Sequence, residues 1–336
     1  MIFRQDLELR EYQVLSALAA KSAESKGRDS YEDKCDLRTD FQRDRDRIVH
    51  SKSLRRLMHK TQVFLSPEGD HFRTRLTHTL EVAQISRTVA RALGLNEDLT
   101  EAIAMGHDLG HTPFGHNGED SLAKIHPGGF KHNVQSLRVV SILESMGNRR
   151  GMNLTFEVKD GILNHTGLVK PMTLEGQVVK ICDRIAYINH DIDDAIRGRI
   201  IKESDLPKES VAILGTNHRT RINTLVMDLV KNSDSKNEIK MSDACRTQMD
   251  TLRNYMFMNV YRSNVVKRDE ELEKIEKMIE LLYAYYCNNP DKLPDEWQTM
   301  IPEFGVPEVV KDHIASMTDR YAINNYMEIF VPKGWK

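Results

Sequence analysis

Apolar residues recurring at helical spacing, punctuated by side chains that start and stop helices, restrict what this chain can fold into more than any other feature of it. Residues 78–93 place Leu80, Val82, Ala83, Ile85, Val89, Ala90 and Leu93 mainly on one face, and Gly94 supplies a stop. Asn96 then offers an N-cap, Glu97 and Asp98 suit the positive end of a helix dipole, and Leu99, Ala102, Ile103 and Met105 face inward before Gly110. A third long helix runs from Thr173 as N-cap to Arg197, ended by Gly198, with Val178, Val179, Ile181, Cys182, Ile185, Ile188 and Ile192 as its apolar content. Further helices are expected near 5–24, 39–59, 132–146, 219–232, 242–263 and 268–287, and extended chain only at Thr61–Leu65 and Leu154–Glu157. The fold class that follows is all-α. One domain over residues 1–336 is expected, with its core at about 28–233 and a helical C-terminal extension from about 242 onward.

Charge narrows the function classes. The 48 Lys and Arg nearly balance the 50 Asp and Glu, a formal −2 over 336 residues, which speaks against a nucleic-acid coat or an acidic tail. The distribution is uneven, however. Between Arg38 and Lys60 eight basic residues (Arg38, Arg43, Arg45, Arg47, Lys52, Arg55, Arg56, Lys60) oppose Asp40, Asp44 and Asp46, a net +5 suited to a small, dense anion. About half of those charges are expected in Asp–Arg pairs on a solvated face. Cys35, Cys182, Cys245 and Cys287 stand far apart without a CxxC pair and read as reduced thiols. The N-terminal MIFRQDLELREYQ carries acids where a leader would be apolar, and no run approaches 18 apolar residues, so a soluble, cytoplasmic protein with no membrane partner is expected.

Histidine is the residue out of proportion. Five of 13 (His107, His111, His116, His126, His132) fall within residues 107–132, where an even spread would place about one. His107 and Asp108 are adjacent near a helix end, and adjacent helical residues diverge by about 100°, so both grip one ion only in a crevice that other helices complete. His78 opens one such helix. Asp183 lies mid-helix in an apolar stretch, where a carboxylate without a partner would be driven neutral and a bound cation is a natural counter-charge. His78, His107, Asp108 and Asp183 together form a nitrogen and oxygen set for one divalent ion. Mg2+ or Mn2+ is expected, with Fe2+, Ni2+, Co2+ and Zn2+ compatible with the same donors, and the absence of thiolates argues against a structural zinc knot.

The stretches FQRDRDRIVHSKSLRRLMHKTQVF (41–64), RTRLTHTLEVAQISRTVARALGLNEDLTEAIAMGHDLGHTPFGHNGE (73–119), GILNHTG (161–167) and ICDRIAYINHDIDDAI (181–196) resemble the HD-domain superfamily. Within it the chain looks like the deoxynucleoside triphosphate triphosphohydrolases, the dGTPase-like proteins. The resemblance implies an HD-domain helical bundle and puts the four family ligands on His78, His107, Asp108 and Asp183. It places the family's catalytic histidine and acid on His116 and Glu119, read here as three apart in a Gly-rich loop, with His132 as a further active-site histidine and His111 in the same run. It also puts a sugar 3′-hydroxyl contact on Gln62, a phosphate-binding arginine on Arg75 and a basic position on Arg184. Tyr187 and Asp191 extend the face of Asp183 at i+4 and i+8, about 6 Å per step; a ring there is suited to excluding a 2′-hydroxyl. His165 reads equally as an active-site neighbour or a helix-end histidine. His190 and Asp194 read as helix-surface residues, and His50, His59, His71, His218 and His313 as structural or exposed.

The activity implied is metal-dependent hydrolysis of a deoxynucleoside triphosphate, dGTP or another dNTP, to deoxynucleoside and inorganic triphosphate. Homo-oligomers and a nucleotide activator are common in relatives. Two other readings keep the same residues: an HD phosphohydrolase acting on nucleoside monophosphates or cyclic nucleotides, and a non-catalytic protein binding nucleotides or single-stranded nucleic acid. The phosphorus product separates the first two, and salt-dependent binding without turnover marks the third.

Overall fold

The computed structural model describes residues 1–62, 73–147, 149–261 and 269–334, and it is helical almost throughout. The first half contains α1 (Arg4–Val14), α2 (Asp40–Val49), α3 (Lys52–Arg56), α4 (Arg75–Ala92), α5 (Glu97–Gly106), α6 (Gly115–Ile125), α7 (His132–Arg138) and α8 (Phe156–Asn164). The second contains α9 (Leu174–Arg197), α10 (Lys208–Leu214), α11 (His218–Ser233), α12 (Asp243–Met256), α13 (Asp269–Asn288), α14 (Asp295–Gln298), α15 (Ile301–Phe304), α16 (Val306–Ser316) and α17 (Asp319–Phe330). Among the described residues the only sheet is the two-stranded hairpin of β1 (Ser145–Met146) and β2 (Arg149–Arg150).

Capping chemistry sets the long helices. Asn96 accepts from the Leu99 N–H at 3.1 Å to open α5, and Thr173 accepts from the Gly176 N–H at 3.1 Å to open α9, which stops at Gly198 as expected. Elsewhere the expected helices divide. Residues 39–59 split because the Ser51 hydroxyl donates to the Ile48 carbonyl at 2.7 Å and accepts from the Leu54 N–H at 3.1 Å, ending α2 and capping α3 at once. Residues 5–24 form only α1 and a short 3-10 turn at Ser22–Glu24, and residues 132–146 form α7, a π-helical turn at Val139–Leu143 and β1. Of the helix expected over 242–263, the described part forms α12 and a second π-helical turn at Phe257–Tyr261, and 262–263 lie outside the described residues. Leu154–Glu157 is not a strand: Thr155 makes one bridge to Arg28, and α8 starts at the next residue. Thr61 bridges Thr74, while the rest of the expected strand, residues 63–65, lies outside the described residues, as does His71.

α5 is the axis of the larger core. Leu99, Ala102, Ile103 and Ala104 are fully buried, and the helix packs against α2, α4, α8 and α9. Burying a side chain the size of Ile103 or Leu99 contributes about 1.5–3 kcal/mol, so this axis is held from every side. α5 ends at Gly106 rather than Gly110, and residues 107–110 form a tight turn. Ser136 of α7 closes that turn, donating to the His107 carbonyl at 2.7 Å and accepting from the Gly110 N–H at 2.9 Å. A second core joins Phe114, Leu122 and Phe130 to Ile279, Leu282, Val310 and Ile314 of the C-terminal helices. Thus α6 is rooted in the C-terminal part, against α13.

Candidate functional site

Three elements bring the four expected metal donors together. His78 comes from the first turn of α4, His107 and Asp108 from the turn after α5, and Asp183 from the middle of α9. His78 Nε2 lies 3.1 Å from Asp183 Oδ1, and His107 Nε2 lies 3.5 Å from Asp108 Oδ1 and 3.7 Å from Asp183 Oδ1. His107 Nδ1 is 2.7 Å from the Ala104 carbonyl, which only accepts, so Nδ1 carries the proton and the buried Nε2 presents its lone pair to the two carboxylates. That orphaned nitrogen beside two acids is the environment a divalent cation fits, and ligand atoms of His78, His107 and Asp108 lie within 4.8 Å of one another. Burial works against charge on Asp108, but the Arg75 guanidinium that donates to it outweighs burial and holds the carboxyl well below its ordinary range. Burial likewise opposes charge on Asp183, and the hydrogen bond with His78 overcomes it.

Arg75 is buried and donates to Asp108 Oδ2 at 2.6 Å, with its second terminal nitrogen 3.5 Å from the Gln62 carbonyl oxygen. It therefore orients a metal donor at the same time as it faces the site. The Gln62 side-chain oxygen is buried without a partner among the described residues. Lys60, one of the eight basic residues, is buried as well. Its ammonium donates to the carbonyls of His111 and of Ala315, at 2.9 Å for the latter, and burial pushes it down to about 7.

Next to the donors is an imidazole and carboxylate network. His116 and Glu119 lie in the first turns of α6, which corrects the expected Gly-rich loop. Two glycines argue for a loop by propensity, but Gly118 is there because a Cβ would sit 2.0 Å from the Pro113 carbonyl oxygen. Glu119 is the hub. It accepts from the His132 backbone N–H at 2.8 Å and from His132 Nδ1 at 2.9 Å, stands 3.3 Å from His116 Nδ1 and 3.9 Å from His111 Nε2. His116 is the open member of the set, its side chain 55% exposed, whereas His111 is buried and stacks on His132 with ring centroids 4.5 Å apart.

His165, read ambiguously in the sequence, belongs to this network. Its Nδ1 donates to the Ile162 carbonyl at 2.7 Å, so its Nε2 can only accept from His132 Nε2 at 3.3 Å. His132 is thereby asked to donate from both nitrogens, one toward His165 and one toward the Glu119 carboxylate. In line with this, burial opposes charge on His132 but the Glu119 hydrogen bond and charge overcome it and raise its pKa, while burial drives His165 down to about 3. Burial and the charge of Arg75 hold His111 well below its ordinary value.

The face of α9 continues the site. Asp183 and Tyr187 are half-buried and Asp191 is buried, in the register expected of one continuous helix. Arg184 is exposed beside Asp183. His190 and Asp194 are corrected from surface to interior: Asp194 accepts from Arg73 at 2.6 Å, and the buried His190 ring lies 5.9 Å from that of His78. His126 is structural, bridging Tyr283 at 3.1 Å and Glu308 at 3.2 Å. Asp319 had no sequence signal. It accepts from the backbone N–H groups of Thr61 and Phe114, each at 2.9 Å, and so pins the turn before His116, where Phe114 has φ 62°. Apart from the exposed Arg55, which donates to the His50 carbonyl, the basic residues of the +5 segment separate into two groups. Arg38, Arg43, Arg45 and Arg47 are in ion pairs with Asp46, Glu32, Asp98 and Glu32, whereas Lys52, Arg56 and Lys60 line a cavity between α3 and the C-terminal helices.

Residues 75–188 match the HD domain and residues 239–328 match the phosphohydrolase-associated domain. A protein of Caldanaerobacter subterraneus subsp. tengcongensis named deoxyguanosinetriphosphate triphosphohydrolase-like is 59% identical over 335 residues, covering 100% of this chain and 98% of its own. Proteins of the same name from Desulfatibacillum aliphaticivorans and Clostridium tetani are 50% and 46% identical, each over 99% of this chain and over 99% and 97% of theirs. Among solved structures, a hypothetical protein from Aquifex aeolicus shares the fold with a TM-score of 0.52 at 19% identity, over 86% of this chain and 68% of that one. Among the described residues no helix is long and apolar enough to cross a membrane. With full-length relatives at this level of identity and both domain matches in place, the chain belongs to the deoxyguanosinetriphosphate triphosphohydrolase-like family of HD-domain proteins.

Proposed function

We propose that this protein hydrolyses deoxynucleoside triphosphates to deoxynucleoside and inorganic triphosphate in a reaction that requires one divalent metal ion. The observation that carries this reading is the junction of two groups: ligand atoms of Asp108, His111 and His132 lie within 4.8 Å of one another, so the imidazole and carboxylate network abuts the metal donors. His78, His107, Asp108 and Asp183 would hold the ion. A divalent ion there lowers the pKa of a bound water and offsets phosphate charge.

The remaining work falls to the chain's own side chains. His116, the exposed member of its network, protonates the departing 5′-oxygen, and Glu119 orients it. His132, held between Glu119 and His165, faces the phosphates as a cation. Arg75 fixes Asp108 and presents its remaining donors to the α-phosphate side, with Arg184 at the mouth. Gln62, Tyr187 and Asp191 receive the sugar, the tyrosine ring standing against a ribose 2′-hydroxyl. The whole chain acts as one catalytic unit, because α6 carries His116 and Glu119 on a helix rooted in the C-terminal core. The resemblance to dGTPase-like relatives supports the substrate class, since the relatives named above carry that description.

The deciding experiment incubates metal-stripped protein with each of the four dNTPs and GTP, with Mg2+ or Mn2+ restored, and identifies both products. Inorganic triphosphate with a deoxynucleoside supports the reading. Orthophosphate as the only phosphorus product, turnover of GTP alone, or no turnover under any combination overturns it.

A further inference from the structure

Four cations of the +5 segment have no acidic partner among the described residues: Arg55, which donates to the His50 carbonyl, and Lys52, Arg56 and Lys60. The last three line a cavity of about 210 Å3 bounded by α3, the π-helical turn and the C-terminal helices. Arg56 also lines an adjoining hollow of about 230 Å3 with Trp297, His313 and Tyr321. The two hollows share Arg56, Glu296, Trp297 and Ser316, so they meet where Arg56 and Glu296 stand.

The carboxylates around them are mostly committed elsewhere. Asp312 accepts from Gln135 at 2.8 Å and from Arg138 at 2.8 and 3.0 Å. Glu144 caps α3, accepting from the N–H groups of Lys52 and Ser53 and from the Ser53 hydroxyl. Arg150 is paired with Glu303. Glu296 is the one acid of the lining without a partner among the described residues, against Lys52 and Arg56 in the same condition.

His313 is the second, independent observation. The residue is 2% exposed, wedged between the rings of Tyr286 and Trp297 at 5.1 and 5.5 Å, and neither ring nitrogen has a hydrogen-bond partner among the described residues. A buried imidazole with two idle nitrogens costs free energy unless something satisfies it. Burial, with the nearby charge of Arg56, pushes it down to about 4, the direction an arriving anion would reverse. An ammonium lining one hollow, an idle imidazole lining the other and a guanidinium shared by both form a donor set suited to phosphate oxygens.

We propose that these joined hollows are an anion site, separate from the metal centre, that binds the phosphate group of inorganic phosphate or a short polyphosphate through Arg56 and His313, with Lys52 at its mouth. Lys60 connects it to the other site. Its ammonium borders the cavity and donates to the His111 carbonyl, so an occupant tightens the turn that carries His111.

The test titrates the full-length, metal-stripped protein calorimetrically with sodium tripolyphosphate and, separately, with orthophosphate. Because the proposed catalytic site also receives triphosphate, the reference is Arg75→Gln protein: it should still bind saturably at one site, and adding Arg56→Gln or His313→Phe to it should weaken that binding at least about tenfold. Binding of both probes identifies a single phosphate group as the ligand, and binding of tripolyphosphate alone identifies a polyphosphate. If His313→Phe does not fold, Lys52→Gln on the exposed mouth and the ring 15N signals of His313 in wild-type protein carry the same test. No saturable binding of either probe, or binding that Arg75→Gln abolishes while Arg56→Gln and His313→Phe retain it, overturns the proposal.

Discussion

Glu119 Oε1 lies 2.9 Å from the ring Nδ1 of His132 and 2.8 Å from its backbone nitrogen, so one carboxylate from α6 fixes both the ring and the backbone at the first residue of α7. It does for α7 what an N-cap does, since Lys131 makes no side-chain cap bond there.

Replacing that carboxylate therefore acts on chemistry and local order together. Glu119→Gln is expected to lower kcat by about 10²–10⁴ while metal binding persists, and His116→Ala should do the same without changing the melting temperature, because His116 is exposed. Turnover with metal content checked by atomic absorption decides this. Wild-type kcat in either variant removes these two residues from the mechanism.

The same pair gives a pH signature. With its folded-state pKa raised, His132 contributes stability that is full below its unfolded value near 6.5 and is lost as pH rises through the folded value. Its ring resonances should titrate above 6.5 in the wild type and move down in Glu119→Gln. A midpoint that does not respond to that change would contradict the assigned pairing.

Arg75 and Asp183 should separate cleanly in metal titrations. Arg75→Gln leaves all four donors in place but frees Asp108, a change expected to weaken metal affinity about 10–100-fold. Asp183→Asn removes the carboxylate that both histidines face and should abolish metal binding and turnover together. Equal affinities for both variants and the wild type would place the ion elsewhere.

Glu175, far from this chemistry, sets a pH dependence of stability. Its Oε1 accepts from the N–H groups of Ala20 at 3.0 Å and Asn96 at 2.9 Å, its Oε2 has no partner among the described residues, and burial pushes the carboxyl up to about 7. The folded chain thus keeps a proton that the unfolded chain releases near 4.5. Stability from this group is full below that value and falls as pH rises toward about 7, by up to about 1.4 kcal/mol per pH unit in that window. Glu175→Gln should flatten the melting temperature against pH across this window; an unchanged slope assigns the dependence to other groups.

Much of this arrangement is legible in the residues. α9 is bounded by Thr173 and Gly198 because capping is local chemistry, and the four donors stand out because buried acids and clustered imidazoles call for a cation. What is not legible depends on partners distant in sequence. α6 is hidden because Gly115 and Gly118 each disfavour a helix by about 1 kcal/mol, and only the close approach of the Pro113 carbonyl explains the second. The hub role of Glu119 depends on where α7 begins, 13 residues later. His190 and Asp194 look like helix surface until Arg73 and α4 cover them. Arg56 cannot be told from its paired neighbours until α16 brings His313 beside it.

Asp319→Ala removes a residue that touches no proposed donor, yet it frees the N–H groups of Thr61 and Phe114. Leaving those groups unsatisfied should cost about 1–3 kcal/mol and lower turnover with unchanged metal affinity, as measured by urea unfolding and steady-state kinetics. Full activity in this variant would show that the turn before α6 holds its shape without the last helix.

That tether also orders events in time. A chain emerging from the ribosome presents His78, His107, Asp108 and Asp183 long before residue 319 appears, so it can gather its metal donors while Phe114 and the turn behind it are still unheld. N-terminal segments fold first during synthesis. On the proposed mechanism the nascent protein would therefore pass through a stage in which it could chelate an ion but not organise its proton donor, with hydrolysis arriving only with the closing helix.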